Sequence, residues 1–339
     1  MSDPLFAVEN LEKHFERNTG LINRILSSPE YVQAVDGVSF TLDSNESMAI
    51  VGESGCGKST LFLTLIGLHD RDGGSIQFKG TPLSSFSKND WKQYRKSVRV
   101  IFQDPYNSLD PKMTVYQSLT EPLKIHRMDN KRQRVLEMLE RVELNPPENY
   151  IDRHPRELSG GERQRVSIAR ALIVEPEVIL ADEPVSMLDV STQAALLNLL
   201  DGLVKDFGAS LIYISHDLST VSYISQRINV MYLGRFVESA PTTKLLGDPK
   251  HPYSKELIKA IPIPDPEFNR EHTQLSGAPR EPVDLGEGCR FLDRCPEAME
   301  ICEKSPIPME VEPGRHTECH LYYDHEALTS EELTAEVRQ

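Results

Sequence analysis

A glycine-rich segment between an apolar run and a helical pattern constrains the fold more than any other feature of this chain. Residues 52–60 read GESGCGKST and match the phosphate-loop pattern G-x-x-x-x-G-K-[ST]. The run SMAIV before the segment is typical of a short buried strand, and KSTLFLTLIGL after Gly57 has the apolar spacing of a helix. A strand, a glycine loop and a helix in this order predict an α/β fold that binds a phosphate group at the loop.

Further apolar runs extend this α/β prediction along the chain. EVILAD and SLIYIS are continuous apolar segments of the buried parallel-strand type, and an amphipathic helical pattern from Thr192 to Phe207 separates them. Strands that alternate with helices indicate a sheet with crossover connections. A charged helical pattern from Val115 to Val142 predicts a separate helical layer. With 339 residues, the chain is long enough for one large domain and an appendage.

Charge and hydropathy exclude several classes of function. The net charge of −15 disfavours nucleic acid as a main partner, because phosphate backbones bind basic surfaces. No stretch approaches the roughly 18 to 20 apolar residues of a membrane span, and the N-terminus MSDPLFAVENLEKHF has no signal-peptide core. We therefore expect a cytosolic chain that needs separate membrane subunits for any role in transport.

The residues of the glycine loop have distinct expected roles. Glycines let the backbone wrap a phosphate and present several N–H groups to its oxygens. Lys58 would reach the β- and γ-phosphates of a nucleotide, and the Ser59 hydroxyl would bind Mg²⁺. Cys56 is interpreted as a filler rather than a reactive thiol. The predicted nucleotide-binding residues of the loop are Gly52, Glu53, Ser54, Gly55, Cys56, Gly57, Lys58, Ser59 and Thr60.

Two neighbouring carboxylates follow the apolar run VILA. Asp182 and Glu183 would lie at the carboxyl end of a strand, where α/β proteins form ligand sites. Asp182 can hold Mg²⁺, directly or through water, and Glu183 can polarise an attacking water as a general base. Alone the pair is also compatible with an acidic turn. Together with the glycine loop it predicts a nucleoside triphosphatase.

The segment LSGGERQ, residues 158–164, resembles the signature motif of the ABC ATPase family. The resemblance implies a P-loop α/β fold: a RecA-like core, an antiparallel β subdomain and a helical subdomain at about residues 104–165. It also implies that Ser159, Gly160 and Gly161 contact ATP held by the glycine loop of a second subunit. Physically, these residues open a helix whose N-terminus can bind phosphate.

Other family positions can be matched one by one, and the resemblance covers about residues 5–245. Gln103 in VIFQDP resembles the glutamine that senses the γ-phosphate, belongs to the Mg²⁺ site and contacts the permease. Asp189 in SMLD resembles the D-loop aspartate, although the family more often has SALD. His216 in YISHDLS resembles the switch histidine, and Phe15 resembles the aromatic that stacks on adenine. Because every motif is present, the resemblance implies that Glu183, His216 and Gln103 serve ATP hydrolysis.

Two segments narrow the family branch. HPYSKELIKAIP resembles the C-terminal extension of ATPases that serve oligopeptide and dipeptide importers, and QDPYNSLDPKMTV resembles the F-type subunit among them. The resemblance implies a heterodimer with a sister ATPase at the cytoplasmic face of the membrane, bound to two permease subunits that receive substrate from an extracytoplasmic binding protein. Relatives with the same tail serve import of nickel, glutathione or oligosaccharides. A non-transport ABC protein acting on DNA or ribosomes is the rival class, but the chain has one cassette and no heptad run.

Composition changes near residue 246 and divides the chain. Residues 1–246 are assigned to the nucleotide-binding domain, and residues 247–325 to a small, loop-rich C-terminal module that begins with a proline-rich stretch. Residues 326–339 are acidic, poor in aromatics and predicted to be disordered.

Four of the five cysteines lie in the C-terminal module: Cys289, Cys295, Cys302 and Cys319. Their gaps of five, six and sixteen residues fit zinc poorly, yet spacing alone leaves both Zn²⁺ and an iron–sulfur cluster open. The string GCRFLDRCPEAMEIC resembles the tail of the peptide-importer ATPases, in which this motif holds a [4Fe–4S] cluster. Four unliganded thiols are the alternative for the site. A binding or redox module whose cluster senses oxidation, with the ATPase secondary, is a second rival function. His316 and His320 are interpreted as surface residues, with replacement ligation as a minority possibility.

Overall fold

A computed structural model describes residues 3–17, 30–104, 108–260, 282–283 and 285–323. The predicted disordered tail, residues 326–339, lies outside the described residues. Two sheets and a set of helices account for most of the described chain.

The smaller sheet is antiparallel and has the strand order β2-β1-β4-β5. Its strands are β1 (Phe6–Glu16), β2 (Tyr31–Leu42), β4 (Gly73–Phe78) and β5 (Thr81–Pro82). Strand β1 carries Phe15 near its end, so the predicted adenine-stacking residue belongs to this sheet.

The larger sheet has eight strands in the order β11-β12-β10-β9-β3-β8-β7-β6. Its members are β3 (Ser47–Val51), β6 (Val98–Ile101), β7 (Val178–Asp182), β8 (Ser210–Ser215), β9 (Arg227–Tyr232), β10 (Arg235–Pro241), β11 (Met309–Glu312) and β12 (Arg315–Thr317). Strands β3 and β6 to β9 pair in parallel, whereas β10, β11 and β12 add antiparallel pairs at one side. The predicted parallel strands SMAIV, VILAD and SLIYIS lie side by side at the centre.

The helices in chain order are α1 (Lys58–Leu65), α2 (Lys88–Ser97), α3 (Val115–Ile125), α4 (Lys131–Arg141), α5 (Gly160–Leu172), α6 (Val190–Phe207), α7 (Leu218–Ile224), α8 (Thr242–Gly247) and α9 (Pro252–Lys259). The helical pattern predicted for residues 115–142 corresponds to α3 and α4. Short 3-10 turns lie at Leu83–Ser85, Pro147–Asn149, Pro155–Glu157, Leu292–Arg294, Glu300–Glu303 and His320–Tyr322.

The large sheet separates two hydrophobic cores, and alternate residues of its central strands face opposite sides. In β3, Ala49 and Val51 join the core shared with helices α3 to α6. Met48 and Ile50 join the core shared with α1 and the small sheet. Burial on both faces explains why the central strands are continuous apolar runs rather than alternating ones. The predicted α/β layering is therefore correct.

The C-terminal residues extend the same large sheet. Strand β12 pairs with β10 through Glu238 with Thr317 and Ser239 with His316. Helix α8 crosses residue 246, so the division at that residue stays a prediction. Within the residues that the structure describes, no helix is long and apolar enough to cross a membrane.

Candidate active site

Parallel pairing brings the ends of β3, β6, β7 and β8 to one edge of the large sheet. The register aligns their last residues: Val51 with Ser215, Asp182 with Ile214 and Ile101 with Ala181. Gly52, Gln103, Glu183 and His216 follow these strand ends. Ligand sites of α/β sheets form at such carboxyl ends, because the chain turns there and exposes side chains and backbone N–H groups.

A cavity of about 790 Å³ opens at this edge. It is lined by Phe15, Val32, Ala34, Gly52, Glu53, Ser54, Gly55, Gly57, Lys58, Ser59, Thr60, Gln103, Asp182, Glu183, His216, Leu257, Ala260 and Pro282. The structure thus collects most of the predicted site residues around one space, with Phe15 from the small sheet among them. Cys56, also predicted to bind nucleotide, is buried and is not among the described residues that line the cavity.

The glycine loop connects β3 to α1 and depends on close backbone packing. Gly57 has a φ of 111°, and an added Cβ there would overlap the carbonyl oxygen of Ala34. Lys58 is buried, and its Nζ donates to the carbonyl oxygens of Gly52 at 2.7 Å and Glu53 at 2.9 Å. In the described structure, no side chain caps α1 and its first turn has no acidic residue. Its N-terminal N–H groups therefore suit an anion.

Ser59 and Asp182 lie together beside Lys58, and a side-chain hydrogen bond joins them. Burial raises the pKa of Asp182 to about 6, and the negative charge of Glu183 adds to the rise, whereas Lys58 and Ser59 oppose it. A buried carboxylate that is short of positive charge is a suitable ligand for a divalent cation. The hydroxyl–carboxylate pair fits the predicted Mg²⁺ site.

Gln103, Glu183 and His216 form one hydrogen-bonded group. The amide Nε2 of Gln103 donates to Glu183 Oε2 at 2.9 Å and to Ser186 Oγ at 3.3 Å. His216 Nδ1 lies 2.7 Å from Glu183 Oε1. The backbone of Glu183 has a φ of 43°, which is uncommon for a residue with a side chain, and its N–H donates to Ile214 O at 2.9 Å. The carboxylate is therefore fixed by neighbours on both sides.

The predicted signature residues lie elsewhere. Ser159 caps α5: its Oγ accepts from the N–H of Glu162 at 3.3 Å, and its own N–H donates to Glu162 Oε2 at 2.7 Å. This reciprocal pair is a capping box, which fixes where the helix begins. Ser159, Gly160 and Gly161 are absent from the described residues that line the cavity. The contact of these three residues with ATP held by a second subunit stays a prediction.

The SMLD segment lies against the signature residues. An added Cβ on Gly160 would come within 3.3 Å of Leu188, and one on Gly161 within 3.0 Å of Thr192. Asp189 caps α6 by accepting from Thr192 N at 3.0 Å and Thr192 Oγ1 at 2.7 Å. The side chains of Met187 and Val190 are 61% and 81% exposed. Met187 and Val190 are thus exposed apolar residues in and next to SMLD, and neither lines the cavity.

Sequence reasoning did not identify the contribution of the C-terminal residues to the cavity. Leu257 and Ala260, at the end of α9, and Pro282 line its wall. These are apolar or small residues without a motif, so no local signal marked them. Only the path of the chain back to the glycine loop reveals them.

The four C-terminal cysteines lie in the segment 285–323, here called the cysteine segment. All are free thiols, and Cys289 N donates to Cys302 O at 2.8 Å. Burial raises the pKa of Cys289 to about 12, and Cys302, Cys319 and Cys295 raise it further. The four thiols are thus electrostatic neighbours. Within the described residues, however, no group of three or more His, Cys, Asp or Glu side chains is arranged to hold a metal ion.

One prediction about the cysteine segment is wrong. His316 is exposed, but His320 is only 4% exposed and is not a surface residue. Its Nε2 lies 2.9 Å from the carbonyl oxygen of Lys304, and its ring contacts Tyr323 edge-on at 5.0 Å. A 3-10 turn after Cys319 directs the side chain of His320 into the interior. The sequence does not reveal this burial, because it shows only a polar residue next to a cysteine.

Comparisons with known proteins identify the family. Residues 35–186 match the family described as ABC transporter, and residues 237–302 match the oligopeptide/dipeptide transporter C-terminal region. YkfD of Bacillus subtilis, a putative oligopeptide transport ATP-binding protein, is 45% identical over 326 residues, which are 94% of this chain and 96% of that protein. The chain belongs to the ABC transporter family of ATPases. The family resemblance drawn from LSGGERQ and the other motifs is confirmed.

Two further similarities support the same family. The oligopeptide transport ATP-binding protein OppF of Escherichia coli is 42% identical over 312 residues, covering 90% of this ATPase and 92% of OppF. The solved structure of the ATP-binding cassette MJ0796, a dimeric post-hydrolysis state with ADP and Pi, superimposes with a TM-score of 0.59 at 25% identity. That match covers 70% of this chain and 98% of MJ0796. The predicted ABC-type P-loop fold is confirmed.

Proposed function

We propose that this ATPase powers the import of peptides through a membrane permease. Two features of the chain carry the proposal. In the cavity, Gln103 and His216 are hydrogen-bonded to Glu183, and the C-terminal residues match the oligopeptide/dipeptide transporter C-terminal region. The names of the similar proteins from Bacillus subtilis and Escherichia coli support the peptide branch. Import of nickel, glutathione or an oligosaccharide is the alternative within the same family.

The cavity residues have the roles that hydrolysis requires. Lys58 and the N–H groups at the start of α1 would hold the phosphates of ATP. Ser59 and Asp182, with Gln103 nearby, would hold Mg²⁺, which supplies positive charge to the phosphate oxygens when bound. Glu183 would accept a proton from the attacking water, while Gln103 and His216 fix the orientation of its carboxylate. Phe15 would stack on the adenine at the far wall.

A second ATPase subunit would complete the site. Ser159, Gly160, Gly161 and Asp189 lie outside this chain's own cavity and beside an exposed apolar surface, which suits contact with a partner's nucleotide. The dimer of MJ0796 supports this arrangement by analogy. We infer a heterodimer with a sister ATPase, docked on two permease subunits at the cytoplasmic face of the membrane. An extracytoplasmic binding protein would select the substrate through the permease.

Reconstitution tests the import proposal. The tagged full chain is purified from its own cells without oxygen, and the co-purified proteins are identified. A second ATPase and two permease subunits are expected. In vesicles that contain this complex and its binding protein, ATP should drive uptake of labelled di- and oligopeptides. ATP-dependent uptake of nickel, glutathione or oligosaccharides with no uptake of peptides would replace the peptide assignment, and recovery of the chain with ribosomes would contradict transport.

We further propose that Cys289, Cys295, Cys302 and Cys319 hold a [4Fe–4S] cluster. The four thiols are electrostatic neighbours, and thiolates of this number and type are the ligands of such clusters. Burial raises the pKa of Cys289, Cys295 and Cys319, so a bound metal would have to displace their protons and offset the thiolate charge. Zn²⁺ is the alternative. Metal analysis of the anaerobic preparation should give about four irons per chain, as a full cluster requires. One zinc per chain, or no metal, would contradict the cluster.

Removal of the thiols tests whether the metal is structural. A chain with all four cysteines changed to serine should lose thermal stability, since a small segment with little core depends on such a link. ATPase activity is measured separately on the fraction that remains folded. Unchanged stability of the quadruple variant would contradict a structural role.

A further inference from the structure

Two side chains from the end of the protein contact the same residue of the glycine loop. The N–H of Glu53 donates to the hydroxyl of Tyr253 at 2.9 Å, across 200 positions of sequence. The carboxylate of Glu53 accepts two bonds from Arg294, each 3.0 Å long, across 241 positions. Both the backbone and the side chain of Glu53 are therefore held from outside the nucleotide-binding motifs.

These contacts are shielded from water. Tyr253 is fully buried, and the side chains of Arg294 and Glu53 are 7% and 16% exposed. The hydrogen bonds to Glu53 are the main reason that the pKa of Arg294 lies above its ordinary value, so the guanidinium stays charged. A two-bond guanidinium–carboxylate pair in such surroundings is strong and directional.

An aromatic cluster holds the two side chains in place. The ring of Tyr253 lies 4.5 Å from that of Tyr232 and 5.5 Å from that of Phe291. The guanidinium of Arg294 lies 5.8 Å from the ring centres of both Tyr232 and Phe291. Tyr232 ends strand β9, which pairs directly with β3 ahead of the loop. The contacts to Glu53 are thus fixed relative to the sheet that carries the loop.

Glu53 in turn positions the phosphate-binding lysine. Its carbonyl oxygen accepts from Lys58 Nζ at 2.9 Å, and the N–H of Cys56 points to the same oxygen at 3.3 Å. The residue that Tyr253 and Arg294 hold is therefore the one whose carbonyl oxygen accepts from Lys58 and Cys56. Tyr253 and Arg294 do not themselves line the cavity as the structure describes it, and their hydrogen bonds to the glycine loop are made to Glu53.

Attachment of the cysteine segment does not require these contacts. Arg290 pairs with Asp36, Arg235 bridges Asp36 and Glu318, and Arg315 pairs with Glu238 at 2.9 Å. These ion pairs join the segment to β2 and β10, and none of them involves Glu53. The hydrogen bonds of Tyr253 and Arg294 to Glu53 are additional to these ion pairs, and they act on the ATP site.

We propose that Tyr253 and Arg294 are positioning residues of the ATP site, through which the C-terminal part of the chain sets the conformation of the glycine loop. The inference rests on the assignment of the cavity to ATP. The turn that carries Arg294, Leu292–Arg294, lies between Cys289 and Cys295 in sequence.

Equilibrium binding of a fluorescent ATP analogue with Mg²⁺ to the full chain tests the proposal. Tyr253→Phe removes one hydroxyl and keeps the ring, so affinity should fall about three- to tenfold. Arg294→Gln leaves the Glu53 carboxylate without its cation, and affinity should fall roughly tenfold or more. In the assembled transporter, the KM for ATP should rise for both variants, with kcat changed by less than about twofold.

Two variants of matched chemistry serve as controls. Tyr322→Phe removes a hydroxyl that donates to Lys250 O at 2.9 Å, and Lys255→Gln breaks an ion pair with Glu297 at 3.0 Å. Both bonds lie within the C-terminal residues and do not involve the glycine loop. ATP affinity should stay within about twofold of that of the wild type, because exposed or peripheral contacts of this kind contribute little.

A double-mutant cycle separates positioning from simple folding. Glu53→Gln and Arg294→Gln together should weaken ATP binding no more than Arg294→Gln alone, since both remove the same contact. Thermal unfolding without nucleotide reports stability separately. The inference would be overturned if the variants lost stability but bound ATP as tightly as the wild type. Additive effects in the cycle would also overturn it. Failure of the wild-type chain to bind ATP would instead overturn the assignment of the cavity.

Discussion

The edge of the large sheet that bears the ATP cavity and the cysteine segment hold their side chains together in different ways. At the cavity, Asp182 ends β7, and Gly52, Glu183 and His216 directly follow β3, β7 and β8. Parallel pairing of β8 with both β3 and β7 brings these residues together. The cysteine segment has two short strands and several 3-10 turns, and it relies on ion pairs with distant residues. Changes at the first region should therefore affect chemistry, and changes at the second should affect stability. The contacts on Glu53 are the exception that joins the two.

Lys58→Ala should give the largest effect and should leave the fold intact. The variant loses the ammonium group that faces the phosphates, so affinity for Mg²⁺–ATP should fall roughly a hundredfold or more. Equilibrium nucleotide binding and thermal unfolding are measured together. Lys79→Ala, which removes an exposed lysine paired with Glu177, is the control. Near-normal ATP binding by Lys58→Ala would contradict the assignment of the cavity as the nucleotide-binding site.

Glu238→Ala should show the opposite profile. Glu238 and Arg315 are almost fully buried, and Glu238 also accepts from the N–H groups of Lys250 and His251 at 3.0 and 2.9 Å. Removing one partner of such a pair leaves a buried charge, and the free energy of unfolding should fall by about 3–5 kcal/mol. Urea unfolding measures this loss.

The exposed pair of Lys244 and Glu312 provides the control for this variant. Lys244→Ala should lower the free energy of unfolding by less than about 1 kcal/mol. Equal effects of the two variants would mean that the buried pair does not anchor the cysteine segment to β10.

His251→Asn should change how stability depends on pH. Burial lowers the pKa of His251 to about 3, so the folded chain keeps the imidazole neutral while the unfolded chain binds a proton below about pH 6.5. The contribution of neutral His251 to the free energy of unfolding is fully present above that pH. It falls by about 1.4 kcal/mol per pH unit as the pH decreases toward 3. The variant should lose less stability than the wild type between pH 7 and 5.

The substitution at His251 keeps a hydrogen-bond acceptor for the start of α9. His251 Nδ1 accepts from Tyr253 N at 3.0 Å, and an asparagine oxygen can do the same. His316→Asn, on an exposed side chain, is the control and should keep the wild-type slope. Parallel pH curves for wild type and His251→Asn would contradict the neutral buried histidine.

Ser159→Ala should give the smallest change in stability. Loss of the capping hydroxyl lowers the free energy of unfolding by about 1 kcal/mol. ATP binding by the separate chain should be unchanged, because Ser159 does not line its cavity, whereas ATP turnover by the assembled transporter should fall. Thermal unfolding, nucleotide binding and turnover are compared on the same preparation. Weaker ATP binding by the separate chain would contradict a role toward the partner's nucleotide.

Local motifs explain why the cavity could be predicted from the sequence. GESGCGKST and VILADEP each place cavity residues within a few positions of a strand end or helix start. LSGGERQ likewise places Ser159 at a helix start, but outside the cavity. The predicted strands around them are the central strands of the large sheet. Gln103 and His216 had weaker local signals, but parallel register brings both to Glu183.

Long-range pairs explain what could not be predicted. The hydrogen bond between Glu53 and Arg294 spans 241 positions, and no sequence motif connects the two residues. Leu257 and Pro282 line the cavity although they are more than 190 positions from the glycine loop in sequence. His320 is buried because a 3-10 turn directs it inward. Such contacts depend on the folded path of the chain, not on residue type or spacing.

The most direct test of the account is ATP turnover by Glu183→Gln in the assembled transporter. The substitution keeps the size of the side chain but removes the carboxylate that Gln103 and His216 orient toward the cavity. We predict that the variant binds Mg²⁺–ATP as tightly as the wild type, remains in a closed dimer, and hydrolyses ATP at least about a hundredfold more slowly. Normal turnover by Glu183→Gln would contradict the assignment of Glu183 as the general base and, with it, the proposed chemistry of this edge.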